Sequence, residues 1–250
     1  MNRQLKPYEY YFVSNSIFAT GEEYFRYIIQ DFCLNGALQL KLEWIELHPS
    51  ENRLRLRPFI GIGRNYHSYT TNSLAEQFVL ELFKNEPPLR IHQIRDKFKA
   101  QLNYNVETFK RDFIKKDLKH NGLSFFLSVP TIDGFRLKKE ITSTLKLIEH
   151  TVENLVEDKI NDLILLLISL GSNIVFLSKE TIEKIKTIDK NLEEITSIET
   201  FGQMDTVFSG YSNIGLLSYF DSFETFDSSF DSGFDFGGGD FGGGGGGDSW

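Results

Sequence analysis

Residues 20–44 read TGEEYFRYIIQDFCLNGALQLKLEW, and the chain changes its period inside this stretch. Phe25, Ile28, Ile29 and Phe32 recur three or four apart, the spacing that gathers side chains on one face of a helix. Past Gly36, Leu38, Leu40, Leu42 and Trp44 alternate with Gln39, Lys41 and Glu43, the period of two that a half-buried strand requires. Thr20 and Glu23 are spaced as a capping box, the hydroxyl accepting from an early amide while the carboxylate reaches back. Gly36 suits the left-handed stop between the two patterns, because it has no Cβ. Helix, glycine and strand in succession predict an α+β fold.

Outward from this stretch, Pro7 to Val13 forms a short apolar-rich start. On the other side His48-Pro49-Ser50-Glu51-Asn52 makes a turn, and Arg53, Arg55 and Arg57 alternate with Leu54 and Leu56 on a returning strand that Pro58 ends. Helices followed by a hairpin predict a first winged-helix-like unit over residues 1–66. The order then repeats. Ser73 and Glu76 have capping-box spacing before Phe78, Val79, Leu82 and Phe83, and Pro87-Pro88 breaks that helix. Ile91, Ile94 and Phe98 mark a second helix; Val106, Phe109 and Phe113 mark a third, which Asn121-Gly122 ends. Leu123 to Val129 reads as a strand, Asp133-Gly134 as a hairpin turn, and Phe135-Arg136-Leu137 as the return. A second winged-helix-like unit over 67–137 follows.

From Lys138 the pattern is helical again. Ile141, Leu145, Ile148, Val152 and Leu155 share a face and run on into Leu163–Ile168, stopping near Gly171. Ser178 starts a last helix with Ile182, Ile185, Leu192 and Ile195. Residues 138–198 therefore form a helical layer, packed mainly within the chain. Leu163 to Leu177 is about 15 residues long, short of the roughly 20 that cross a bilayer, and is read as a buried helix. It is also the stretch best suited to peripheral membrane contact, the weaker alternative. Residues 199–250 are a different polymer. They hold nine carboxylates and no Lys or Arg, with phenylalanines between Asp and Ser and an almost pure glycine run from Gly237 to Gly247. Such a run loses the most backbone entropy on ordering and brings no side chains to offset it, so a disordered, acidic, Phe- and Gly-rich tail is expected. Removing the tail's −9 from the formal −8 leaves residues 1–198 at +1.

The segments Leu5-Lys6-Pro7-Tyr8-Glu9, Phe32-Cys33-Leu34-Asn35-Gly36-Ala37-Leu38, Leu74-Ala75-Glu76 and Leu118-Lys119-His120-Asn121-Gly122-Leu123 carry a resemblance. They resemble the skeleton of the uncharacterised bacterial "near uncomplexed cysteine" domain family, across roughly residues 5–125. The resemblance implies the fold and no activity, since that family has none to pass on. This chain departs from it in having no cysteine in the tail and no clear transmembrane helix before it.

Chemistry-bearing motifs are sparse. Cys33 is the one cysteine, which excludes an intrachain disulfide and a Cys-based metal site; among Phe32 and Leu34 it reads as a small buried hydrophobe. The histidines (48, 67, 92, 120, 150) are scattered without metal-site spacing. Gly61-Ile62-Gly63-Arg64 lacks the Lys-Ser/Thr of a phosphate loop and reads as a linker. With no nucleophile motif, no cofactor motif and no signal peptide, the expectation is a non-enzymatic, cytoplasmic binding or scaffold protein. Its contacts would be with proteins, and Phe226, Phe230, Phe234, Phe236 and Trp250 would be docking groups on the tail. The alternative is nucleic-acid binding. Lys84 to Lys119 holds ten Lys and Arg against five carboxylates, and Lys97, Lys99, Lys110, Arg111, Lys115 and Lys116 would form a basic surface that the acidic tail masks.

Overall fold

Pro7 opens the first helix, α1 (Pro7–Asn15), where a missing N–H is tolerated. Glu9 accepts from the Lys6 backbone amide at 3.0 Å and closes that helix start. The computed structural model describes residues 4–15, 18–46, 54–124, 129–154 and 159–198. Turn residues 48–52, Arg53, Leu155 and the tail fall outside them. Helix α2 (Gly21–Leu34) begins with the capping box of Thr20 and Glu23, both halves formed. Gly36 stands at φ +75°, a conformation that side chains with a Cβ avoid.

Strands β1 (Leu38–Glu46) and β2 (Leu54–Ile62) then pair antiparallel, with Leu38 opposite Ile62 and Leu40 opposite Ile60. Leu38 and Ile60 are buried on the inner face; Gln39, Lys41 and Glu43 are exposed on the other. Pro58 does not end β2 as its chemistry suggests. Gly63 donates to the Ala37 carbonyl at 2.9 Å, so residues of odd number form the hydrogen-bonded pairs and Leu42–Pro58 is a non-hydrogen-bonded pair. The proline nitrogen points away from β1, where no donor is needed. Gly61 and Ile62 finish this strand instead of forming a linker, and Gly63 lies so close to the Gly36 and Leu38 backbone that a Cβ would collide.

Helix α3 (Leu74–Glu81) leads to β3 (Leu89–Arg90), which pairs with β2 to complete a sheet of order β1-β2-β3. The sheet thus takes strands from both sides of the expected boundary at residue 66. Helix α4 (Ile91–Gln101) follows, then one helical run: α5 (Glu107–Phe109), a π-helical stretch Lys110–Ile114, and α6 (Lys115–His120). Gly122 ends it at φ +69°. The second wing is not built as read. Ser124 and Pro130 form a single bridge, and Asp133-Gly134 lies in the first turn of α7 (Ile132–Glu153), which also contains Phe135-Arg136-Leu137. Thr131 decides this: its hydroxyl accepts from the Gly134 amide at 3.1 Å and donates to the Gly122 carbonyl at 2.9 Å. An N-cap pinned to the preceding helix outcompetes a hairpin turn.

Helix α7 does not continue into the leucine stretch either. It ends at Glu153, and α8 (Ile160–Leu170) packs back on it as a separate helix. Within α8, Leu163 and Leu170 are buried while Leu165 and Ile168 are exposed, so it is one-sided where a fully buried helix was expected. A 3₁₀ turn (Gly171–Phe176) leads to α9 (Lys179–Ile198), which Ser178 starts by accepting from the Thr181 amide at 3.2 Å. Among the described residues no helix is long and apolar enough to cross a membrane.

The core joins the halves through phenylalanine. Phe25 of α2 stacks on Phe98 of α4 with centroids 4.0 Å apart; Phe98 meets Phe109 edge-on at 5.1 Å, and Phe78 meets Phe113 at 4.7 Å. One contiguous buried cluster continues from these rings to Leu5 at one end of the chain and Ile185 at the other. The protein is mainly helical with a small three-stranded antiparallel sheet.

Candidate functional site

Two places concentrate polar or apolar side chains in ways that packing alone does not require. The first is a buried polar hub under residues 4–9. Glu76, in the first turn of α3, is fully buried; one carboxylate oxygen forms an ion pair with Lys6 and the other accepts from the Tyr69 hydroxyl at 3.2 Å. Glu76 therefore does not complete the capping box read from Ser73. Ser73 caps α3 with its own hydroxyl at 3.1 Å, and Asp117 from α6 supplies the rest. That carboxylate accepts from the Leu74 amide at 2.8 Å, the Ala75 amide at 2.9 Å and the Ser73 hydroxyl at 2.7 Å. Glu9 accepts from the Asn121 side chain at 2.8 Å. Helix N-termini favour negative charge, which suits Glu9 to the first turn of α1 and Glu76 and Asp117 to the first turn of α3.

The same strap reaches the helical layer. The Gln4 side chain donates to the Ser169 carbonyl at 2.8 Å, and Asn173 donates to the Leu5 carbonyl at 2.7 Å. Below it, burial raises the Asp31 carboxyl to about 6, opposed by a hydrogen bond from Ser172. Burial also pushes the half-buried Cys33 thiol far above its ordinary value, so it stays protonated at neutral pH, in keeping with a packing role. An open cavity of about 300 Å³ lies beside the hub, lined by Lys6, Glu9, Thr71, Ser73, Asp117 and His120 among others. Its carboxylates already serve helix ends, and among the described residues no group of three or more His, Cys, Asp or Glu could hold a metal ion.

Four of the expected basic residues, Lys97, Lys99, Lys110 and Arg111, meet partners within the chain. Lys97 donates to the Leu82 carbonyl at 3.2 Å and pairs with Glu86 at 2.6 Å. Lys99 lies 3.7 Å from Glu22, and Lys110 donates to the Ala19 carbonyl at 2.6 Å. Arg111 is held by both oxygens of Asp112 at 2.8 Å each. Lys115 is half-buried and Lys116 exposed on the outer side of α6, next to exposed Lys119 and His120. Phe109, Ile114 and Leu118 bury the inner side of this run. Phe226, Phe230, Phe234, Phe236 and Trp250 lie outside the described residues.

The second place is the outer face of α7, opposite its buried stripe of Ile141, Leu145, Ile148 and Val152. At 100° per residue, Ile132, Phe135, Arg136, Lys139, Lys146 and Leu147 fall within one outward arc of about 120°, over a length of about 22 Å. Ile132 is 81% exposed, Phe135 52% and Leu147 50%, large apolar groups left in water; Arg136, Lys139 and Lys146 are exposed beside them. Between Ile132 and Leu147 no carboxylate falls inside that arc. Asp133 is on the flank, 3.4 Å from Arg136, and Glu140 lies on the same flank. Sequence reading missed both places. The spacing Lys6-Pro7-x-Glu9 is a legible helix start, but Glu76 finds a lysine 70 residues away, which no local pattern announces. The α7 face was hidden by the hairpin reading of 123–137, which assigned Phe135 to a strand.

No family model matches the chain, and no curated protein or solved structure matches it.

Proposed function

We propose that the chain is a non-enzymatic binding or scaffold protein that makes protein contacts through the outer face of α7, with residues 199–250 as a docking or assembly segment. The observation that carries this reading is Ile132, Phe135 and Leu147 standing in water on one broad face with three basic residues. Exposed apolar groups rimmed by charge mark contact surfaces more often than they mark stability. The partner such a face fits is a helix with an apolar stripe and acidic flanks, docked as helix on helix. The likeness to the near uncomplexed cysteine domain belongs to the same proposal; Glu9, Glu76 and Asn121, which help carry it, converge on the hub.

The test is cross-linking mass spectrometry of complexes captured by the full-length protein. Cross-links from Lys139 and Lys146 to the bound protein, lost in an Ile132→Ser/Phe135→Ser/Leu147→Ser variant of unchanged melting temperature, support the reading. Cross-links confined to other faces defeat it.

A second reading, a winged-helix-like nucleic-acid binder restrained by its acidic tail, rests on one observation. Lys116 and Lys119 of α6 and Arg136 and Lys139 of α7 are exposed, and Thr131, which caps α7, donates to the Gly122 carbonyl just past α6. It predicts DNA binding that weakens steeply with salt and with Lys116→Glu/Lys119→Glu, and that strengthens when residues 199–250 are removed. Absence of binding at low salt by the shortened protein removes this reading.

A further inference from the structure

We infer that two copies of the chain associate through the open edge of β1. The two β1 strands pair antiparallel about a two-fold axis at Leu42, and the sheets join into one. This association does not depend on the contact surface of α7.

Strand β1 is the outer strand of the sheet. Its 9 residues pair with β2 on one side, and among the described residues no strand pairs with the other. Odd-numbered residues of β1 bond to β2, so the backbone N–H and C=O groups of Leu40, Leu42 and Trp44 point to the open side. Such a row is a template for another strand. The far edge of the hairpin is a poorer one. There β3 covers β2 only at Phe59 and Ile60, and the next outward-pointing residue, Pro58, has no N–H to give.

Charge selects both the occupant and the register. Lys41 and Glu43 stand exposed on the outer face of β1. With Leu42 opposite itself, Lys41 lies opposite Glu43 of the second copy, and the two-fold axis makes that pair twice. Both pairs fall at non-hydrogen-bonded positions, where Cα atoms come within about 4.5 Å and side chains meet most closely. Sliding one strand by two residues sets Lys41 opposite Lys41, or Glu43 opposite Glu43, and like charges directly opposite are unfavourable. A lone lysine on an edge wards off pairing. With Glu43 two residues on, it wards off the neighbouring registers and admits this one. Within one hairpin Lys41 is opposite Phe59, whose ring has Arg90 over it at 5.6 Å, and Glu43 is opposite Arg57. Across the joined sheets the outer row runs Arg90, Phe59, Lys41, then Glu43 and Arg57 of the second copy, which sets each carboxylate between two cations. Residues 40, 42 and 44 exchange about six backbone hydrogen bonds across the axis. The contact is small, so the dimer forms as concentration rises.

The test is sedimentation equilibrium of the full-length protein over a range of concentrations, with amide exchange read residue by residue. A monomer–dimer equilibrium is expected, in which the amides of residues 40, 42 and 44 become protected in step with the dimer fraction. Lys41→Glu turns both ion pairs into repulsions and weakens the dimer about tenfold. Glu43→Lys does the same by itself. An equimolar mixture of the two variant proteins restores the dimer, because every Glu then faces a Lys, and so does the exchange Lys41→Glu/Glu43→Lys within one chain. Misfolded chains could not regain association by mixing, so the restoration separates a lost contact from a lost fold. A protein that stays monomeric at every concentration overturns the inference. So does a dimer indifferent to these charges, which would place its contact elsewhere. Protection of the amides of residues 40, 42 and 44 in the monomer also overturns it, since a segment of the same chain would then cover the edge.

Discussion

The hub beneath residues 4–9 and the outer face of α7 both gather charged side chains, yet they put them to opposite uses. In the hub, Glu76, Asp117 and Glu9 are sealed from water and each meets lysine, amide or hydroxyl donors within the chain. On α7, the cations are in water and the groups lacking a counterpart are apolar ones. Sealed charge with full partners belongs to the fold, because removing one member leaves a stranded ion. Exposed hydrophobes beside open charge cost the fold little if changed, and so are free to serve contacts. Residue type alone does not separate the two cases; burial and partners do.

The largest effect that would sharpen this contrast comes from Lys6→Met. It leaves Glu76 buried without its cation and costs about 3–5 kcal/mol, read from urea unfolding. Replacing both residues, Lys6→Met with Glu76→Leu, recovers much of the loss, since no lone charge remains. A single variant within 1 kcal/mol of the parent would place Glu76 among the exposed-type groups and break the comparison.

Asp31→Asn comes next. Folding raises the Asp31 carboxyl to about 6 through burial, so the folded chain holds a proton that the unfolded chain releases near pH 4. Its favourable contribution is full below pH 4 and lost as pH rises through about 6. Above that the parent carries a penalty of about 3 kcal/mol that asparagine lacks. The variant is therefore more stable at pH 8 and equal at pH 3.5, and a pH-independent difference in unfolding midpoints contradicts the assignment. Asp117→Ala follows at about 2 kcal/mol, from two α3 amides and the Ser73 hydroxyl losing one acceptor group. Smallest is Ile132→Ser/Phe135→Ser, within about 0.5 kcal/mol per site of the parent. A large loss there would mean that these side chains support the core.

What could be read from the chain and what could not divides along sequence distance. The switch of period at Gly36, the box at Thr20–Glu23 and the stop at Gly122 depend on neighbours a few residues apart, and all three stand. Pro58 in mid-strand depends on which side of β2 has a partner, a property of the sheet. Asp133-Gly134 has the letters of a hairpin turn, but Thr131, fastened to Gly122 and Leu123, gives those letters a helix start. Glu76 satisfies a local rule on paper and a distant lysine in the fold. Of the candidate surface, the basic residues were legible as charges, but their carbonyl and carboxylate partners at Leu82, Ala19 and Glu86 were not.

The strap also sets an order in time. Gln4 and Leu5 are made before Ser169 and Asn173, to which they bond across 165 and 168 positions. At about 5–20 residues per second, their partners emerge on the order of ten seconds or more after they do. Until then the nascent protein can bring Lys6 to Glu76 but cannot fasten residues 4 and 5 on their far side, so vectorial synthesis makes the contacts of this segment in two stages.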